Sequence, residues 1–331
     1  MKKHPSARCT RRGALLAAAL ALGFGLPARA ADAPTYGVLL KTLSNPFWGA
    51  MEQGVRDGAR AAGVQYFMQA VESDQAAEPQ LNTCNTMLER KPAAMITAAI
   101  NSTILLPCLK RANEMGMQVV DLDANLDHAI AAKAGVTIAF TIGSDNVAAG
   151  RQAADYLAGR LGANAGGAVV VIEGLAGNIT GQKRASGFRG QIAKIAPGLK
   201  VAASLPGDWD RQKAANIAND MMTRNPDLVA IFCANDTMAL GAVESVFAAG
   251  KGGKIVIIGV DGNSDAVKSI KAGRLDASVA QLPYLVGKEA VEKTKDLLGG
   301  ASEPEYIYVP TLLLTRQVLA DNKDPLLQYI K

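Results

Sequence analysis

The chain has 331 residues, with 35 Lys and Arg against 30 Asp and Glu, and 49% of it is apolar. The basic excess is local: residues 1–30 hold Lys2, Lys3, Arg8, Arg11, Arg12 and Arg29 and no acidic residue, so the remainder carries 29 basic against 30 acidic groups. That balance lacks the electrostatic footprint of a nucleic-acid binder, and with Cys84, Cys108, Cys233 and His128 as the only cysteines and histidine after residue 30, metal cages and histidine triads are very restricted.

Basic residues precede an apolar run over residues 13–26, and Ala28-Arg29-Ala30 supplies small residues for cleavage. Residues 1–30 therefore read as a secretory signal peptide cut after Ala30. The run is short of the roughly 20 apolar residues a spanning helix needs, and no other stretch approaches that length. Cys9 lies ahead of it, so a lipid anchor is not expected. Thr10-Arg11-Arg12-Gly13-Ala14-Leu15-Leu16 fits either the general or the twin-arginine export route. The mature product is expected to be soluble, with residues 31–34 as a loose terminus.

Beyond the signal, short β-rich runs at residues 36–40, 64–69, 93–97 and 119–123 alternate with helical patterns such as 46–62 and 80–90. A second series follows at 169–172, 201–205, 228–233 and 255–260, with helices near 147–161, 181–195, 212–222 and 238–249. Continuous apolar strands alternating with helices read as parallel sheets covered on both faces. Residues 138–143 form a strand-like crossing, after which Ser144-Asp145-Asn146 can cap a helix. Two later extended pieces, 275–281 and 306–314, flank a helical segment at 286–298. The predicted fold class is α/β, with two doubly wound parallel-sheet lobes joined by a three-strand hinge. The N-terminal lobe takes residues 31–141 plus 282–308, and the C-terminal lobe 142–281 plus 309–331. Cys84 and Cys108 lie on successive helices of the first lobe in an oxidising compartment, so a disulfide is expected there, with Cys233 unpaired on its strand. The alternative is three small core residues.

In open α/β sheets ligands sit beyond the carboxyl ends of the strands. Those ends supply Lys41, residues 121–125, residues 173–178, Trp209, Asn235, Asp236, Asp261 and Gln281. The stretch from Tyr36 to Trp48 adds Asn45, Phe47 and Trp48, where an apolar strand runs into a polar turn that opens a helix. Amides, carboxylates and lysine hydrogen-bond hydroxyls, while flat rings cover the C–H faces of a sugar. Each residue also has a plainer role: Asn235 or Asp236 as a helix cap, Asp261-Gly262 as an Asx turn, Trp209 as a surface aromatic. The set contains no nucleophile and base pair. Asp123 and Asp261 leave a sugar-acting hydrolase as the alternative from another class.

Four strings carry a specific resemblance: Lys41-Thr-Leu-Ser-Asn-Pro-Phe-Trp48, Glu173-Gly-Leu-Ala-Gly-Asn178, Asp208-Trp-Asp-Arg-Gln-Lys213 and Cys233-Ala-Asn-Asp-Thr-Met-Ala-Leu-Gly241. Over residues 36–281 the chain resembles the type I periplasmic sugar-binding proteins of ABC importers. The resemblance implies capture of one monosaccharide, an allose-like hexose, with psicose, ribose or xylose as alternatives. It also implies a periplasmic location, hinge closure and delivery to an ABC permease, with presentation to a chemoreceptor as an alternative role. The protein is then a monomeric binding protein, not an enzyme, with no cofactor, metal or nucleic-acid partner. Lys41 and Asn45 bond the sugar from the first lobe, Phe47, Trp48 and Trp209 cover its ring, and Asp123, Asn178, Asn235, Asp261 and Gln281 bond its hydroxyls. Where ribose-binding members carry two arginines, this chain has Ala124 and Gln182, and Gln182 is included among the ligand-binding residues. The tail from Pro310 onward does not follow the family pattern.

Overall fold

The computed structural model describes residues 34–162 and 164–330. The expected signal peptide and cleavage after Ala30 lie outside the described residues. The first apolar strand, β1 (Thr35–Thr42), is buried along nearly its whole length because it is flanked on both sides: it pairs in parallel with β2 (Gln65–Val71) and β3 (Ala94–Thr97). With β4 (Gln118–Leu122), β5 (Phe140–Gly143) and the late strand β11 (Tyr306–Tyr308) it forms a six-stranded sheet ordered β11-β5-β4-β3-β1-β2. The second sheet is ordered β12-β10-β9-β8-β6-β7, from β6 (Gly167–Glu173), β7 (Leu199–Pro206), β8 (Leu228–Cys233), β9 (Val256–Asp261), β10 (Ala277–Ala280) and β12 (Leu312–Thr315). All pairings are parallel except β10 with β12.

Helices cover these sheets, and their starts are fixed by local chemistry. In α1 (Pro46–Ala62) the Asn45 side chain accepts from the Phe47 N–H, Pro46 occupies the first turn, and Gly63 ends the helix with φ 67°. Its buried face carries Phe47, Trp48, Met51 and Val55. Gly54 on that face lets the backbone of α10 (Pro283–Leu298) approach so closely that a methyl group there would collide with the Tyr284 carbonyl. In the second lobe, α5 (Asn146–Leu161), α6 (Ile179–Ile195), α7 (Arg211–Arg224) and α8 (Asp236–Ala248) are capped by Asp145, Asn178, Asp210 and Asn235 respectively, each accepting from a backbone N–H of the first turn. Among the described residues no helix is long and apolar enough to cross a membrane.

The chain passes between the sheets three times: from β5 into α5, from β10 into α10, and between β11 and β12. The last passage breaks the late extended piece in two. Residues 306–314 read as one extended piece, but Val309-Pro310-Thr311 separates two strands that belong to different sheets, and Pro310 has no N–H to donate to a ladder. Beyond β12, the short helix α11 (Arg316–Asp321) and a 3-10 turn over Pro325–Tyr329 complete the tail, with Tyr329 stacked on Tyr284 of α10, ring centroids 6.2 Å apart. In the first lobe, α2 (Ala77–Leu88) and α3 (Leu106–Glu114) are joined by the Cys84–Cys108 disulfide, with Cα atoms 6.2 Å apart. Cys233 is a free, buried thiol at the end of β8.

Candidate functional site

The carboxyl ends of both sheets face one another across a cleft with a cavity volume of about 30 Å³. From the first lobe it is lined by Lys41, Asn45, Phe47, Trp48, Asp74 and Asp123. The second lobe and the hinge contribute Thr180, Arg184, Trp209, Asn235, Asp261 and Gln281.

The first-lobe wall grows from a single strand, turn and helix. Phe47 and Trp48 pack edge to face with ring centroids 4.9 Å apart, and the Lys41 ammonium lies 5.1 Å from the centre of the Trp48 ring. Lys41 is almost fully buried, donating to Asn125 Oδ1 at 3.1 Å. Burial pushes its pKa down, opposed by the carboxylates of Asp123 and Asp74. Asp123 and Asp74 are themselves pushed up by burial, with Lys41 as the main opposing charge in both cases.

The second-lobe wall is assembled from distant elements around Arg184, a buried guanidinium on α6. It donates through Nε to Asn146 Oδ1 at 2.8 Å and through Nη1 to the Ala234 carbonyl at 2.8 Å, and it pairs with Asp261 Oδ1 at 3.5 Å. Gln281 Nε2 donates to the same Asp261 oxygen at 2.6 Å. Burial raises the Asp261 pKa well above the carboxylate range, Arg184 opposes that shift, and neighbouring Asp236 adds to it. The Arg184 guanidinium also lies 5.8 Å from the Trp209 ring centre. Trp209 has φ 62°, and its indole lies so close over Gly174 that any side chain there would strike the ring. Positive φ recurs around the cavity and hinge at Asp123, Ala124, Asp208, Trp209, Asp261 and Leu282, a concentration of backbone strain typical of ligand sites.

Two features define the chemistry the cavity favours. Its two cations, Lys41 and Arg184, face three carboxylates, Asp74, Asp123 and Asp261, all of which burial pushes toward the neutral acid, so the lining carries little net charge and suits a neutral ligand rich in hydroxyls. Gln281 Oε1 is a buried acceptor with no protein partner, and leaving such a group unsatisfied costs about 1–3 kcal/mol unless a ligand donor meets it. Among the described residues no cluster of His, Cys, Asp and Glu could hold a metal ion.

Of the residues expected from sequence, Lys41, Asn45, Phe47, Trp48, Asp123, Trp209, Asn235, Asp261 and Gln281 come together in the lining. Two stand elsewhere. Asn178 is fully buried beside the cavity as the cap of α6. Gln182 is exposed, because it lies two residues, or about 200° of helix rotation, from both Thr180 and Arg184, which share the cavity-facing side of α6. Three lining residues were not anticipated. Asp74 follows β2 and was open to the same strand-end reading as Lys41. Thr180 and Arg184 sit within a helix, where their i, i+4 spacing was the available signal.

Two hinged α/β lobes enclosing a buried polar and aromatic cleft define a ligand-trapping binding protein. A model of the periplasmic binding protein domain matches residues 36–302, and the chain belongs to that family, with the type I fold. It is 37% identical over 301 residues to the D-allose-binding periplasmic protein of Escherichia coli (strain K12), covering 89% of this chain and 96% of that one. Against the Ribose import binding protein RbsB of the same organism the identity is 31% over 304 residues, covering 92% and 98%. The solved structure of an ABC transporter periplasmic solute binding protein from Actinobacillus succinogenes 130z, with bound D-allose, matches at TM-score 0.82 and 30% identity, covering 87% of this chain and 99% of that chain. The chain is therefore a periplasmic binding protein rather than an enzyme, and the relatives named here carry sugar-binding names.

Proposed function

We propose that the ligand is a single neutral hexose of the allose kind. The carrying observation is the lining itself, in which three aromatic rings from opposite lobes flank amides and carboxylates that face Lys41 and Arg184 within the protein. Phe47, Trp48 and Trp209 cover the faces of the ring. Lys41, Asn45 and Arg184 donate to hydroxyl oxygens; Asp74, Asp123, Asp261 and the orphaned Gln281 Oε1 accept from hydroxyl protons; Asn235 bonds the ring from the tip of β8. The name of the E. coli relative and the allose bound in the Actinobacillus structure support the choice of sugar.

Export with cleavage after Ala30 yields a monomer whose lobes comprise residues 31–141 plus 282–308 and 142–281 plus 309–331. Sugar bound by groups from both lobes favours the closed form, which is the form delivered to the ABC permease and presented to a chemoreceptor. Native mass spectrometry of the periplasmic protein, followed by calorimetry with allose, psicose, ribose, xylose, glucose and galactose, tests this reading. Submicromolar to micromolar binding is expected, strongest for allose. A preference for a sugar phosphate over every free sugar refutes it, since the cavity offers no arginine cluster or phosphate loop.

A further inference from the structure

Asn178 and Asn125 form a buried pair between the lobes whose hydrogen-bonding capacity is spent entirely on protein. Asn178 Oδ1 caps α6, accepting from Gly181 N at 3.0 Å and from Thr180 Oγ1 at 2.6 Å. Its Nδ2 donates twice, to the Ile100 carbonyl and to Asn125 Oδ1, both at 3.1 Å. Both acceptors belong to the first lobe. Asn125 Oδ1 accepts from Asn178 and from Lys41 Nζ, while its Nδ2 donates to the Asp123 carbonyl at 3.2 Å and to Asp123 Oδ2 at 3.0 Å. A carboxamide offers two protons and two lone pairs, so neither residue keeps anything for a sugar. Both side chains are fully buried.

We propose that Asn178 is an inter-lobe latch rather than a sugar ligand, and that Asn125 is the positioning residue that couples the latch to the cavity. The two Asn178 Nδ2 bonds exist only when the lobes are together, so they add to closure independently of which sugar is bound. The catch is held in place: Gln80 Oε1 accepts from Ile100 N at 2.9 Å, and Asp121 accepts from Asn125 N at 3.3 Å and Leu126 N at 3.1 Å. Through Asn125 the latch orients Lys41 and Asp123, the charged pair of the first-lobe wall. One more bond, from Gln75 Nε2 to the Asp208 carbonyl at 2.8 Å, joins the lobes at the exposed rim.

The inference rests on the sugar-binding reading for its affinity readout and stands without it for its conformational one. Asn178→Ser retains a capping oxygen for α6 but is too short to reach Ile100 or Asn125. Calorimetry on this variant is expected to show a loss of roughly tenfold for every sugar the wild-type protein binds, with the ranking among epimers unchanged. Asn125→Ala is expected to lose more, and the double variant less than the product of the two. In sugar-free protein, pulsed dipolar distances between spin labels on the two lobes are expected to show a closed fraction that falls in Asn178→Ser. An altered ranking among epimers would mark Asn178 as a direct ligand and overturn the latch, as would unchanged affinity or an unchanged distance distribution. A wild type that binds none of the sugars refutes the functional reading instead, and the label distances still decide the latch.

Discussion

The two walls of the cleft are built in opposite ways. The first-lobe wall is largely local: Lys41, Asn45, Phe47 and Trp48 fall within eight residues where β1 runs into α1, and the lobe beneath is cross-linked by Cys84–Cys108. The second-lobe wall has no such local block and no disulfide. Its coherence comes from Arg184, which ties α5, the end of β8 and the end of β9 together through Asn146, the Ala234 carbonyl and Asp261. One side of the site rests on chain connectivity and a covalent staple, the other on one buried cation.

Removing that cation is the harshest test of the difference. Arg184→Ala leaves Asp261 buried without its charge partner, and loss of one partner of a buried pair costs about 3–5 kcal/mol. Urea unfolding is expected to report that loss, with sugar binding below detection by calorimetry. If Arg184→Ala unfolds like the wild-type protein, the second wall does not depend on its arginine.

Reduction of Cys84–Cys108 probes the opposite wall. Opening a loop of 24 residues' separation is expected to cost roughly 3 kcal/mol, felt in the first lobe alone. Hydrogen exchange resolved by peptide should show α2 and α3 losing protection while α5 and α6 keep theirs. Equal loss in both lobes would mean that they unfold as one unit.

A smaller effect is expected at Trp209, which is half-buried and lines the cavity from the second lobe. Trp209→Ala should weaken all bound sugars by about twofold to tenfold without reordering epimers, since stacking energies of about 0.5–1.5 kcal/mol depend little on hydroxyl configuration. A change of ranking in calorimetry would show that the indole reads hydroxyl geometry.

A separate expected effect is on pH dependence. Burial raises Asp121 to about 7, above its unfolded value of roughly 3.9. A raised folded pKa means the folded state holds the proton more tightly, so this group's contribution is fully present below about pH 4 and is lost as pH rises through about 7. Chemical denaturation across that window should show stability falling with pH, and Asp121→Asn should flatten the slope. An unchanged slope would place the titrating group elsewhere.

Much of the architecture was legible because buried parallel strands are continuous apolar runs and helix caps are local. Residues 36–40 and 228–233 were read close to the bounds of β1 and β8 for that reason. Short amphipathic helices were less visible, and α9 (Ser264–Lys271) was not read at all. Motif alignment selected Gln182 on α6, whereas helix phase turned Arg184 inward, and only the packing of α6 against the second sheet shows which side faces the cavity.

Sequence alone determined the alternation of strands and helices and the polar and aromatic residues at the strand ends, because each depends on neighbours a few positions away. Tertiary structure alone decided that Asn178 spends its hydrogen bonds on Ile100 and Asn125, that Arg184 anchors Asp261, and that Val309–Thr311 breaks the late extended piece into two strands of different sheets. Those outcomes join residues tens of positions apart, or assign neighbouring residues to separate sheets. Long-range satisfaction of buried polar groups is settled only when the lobes have packed and each donor has one acceptor within reach.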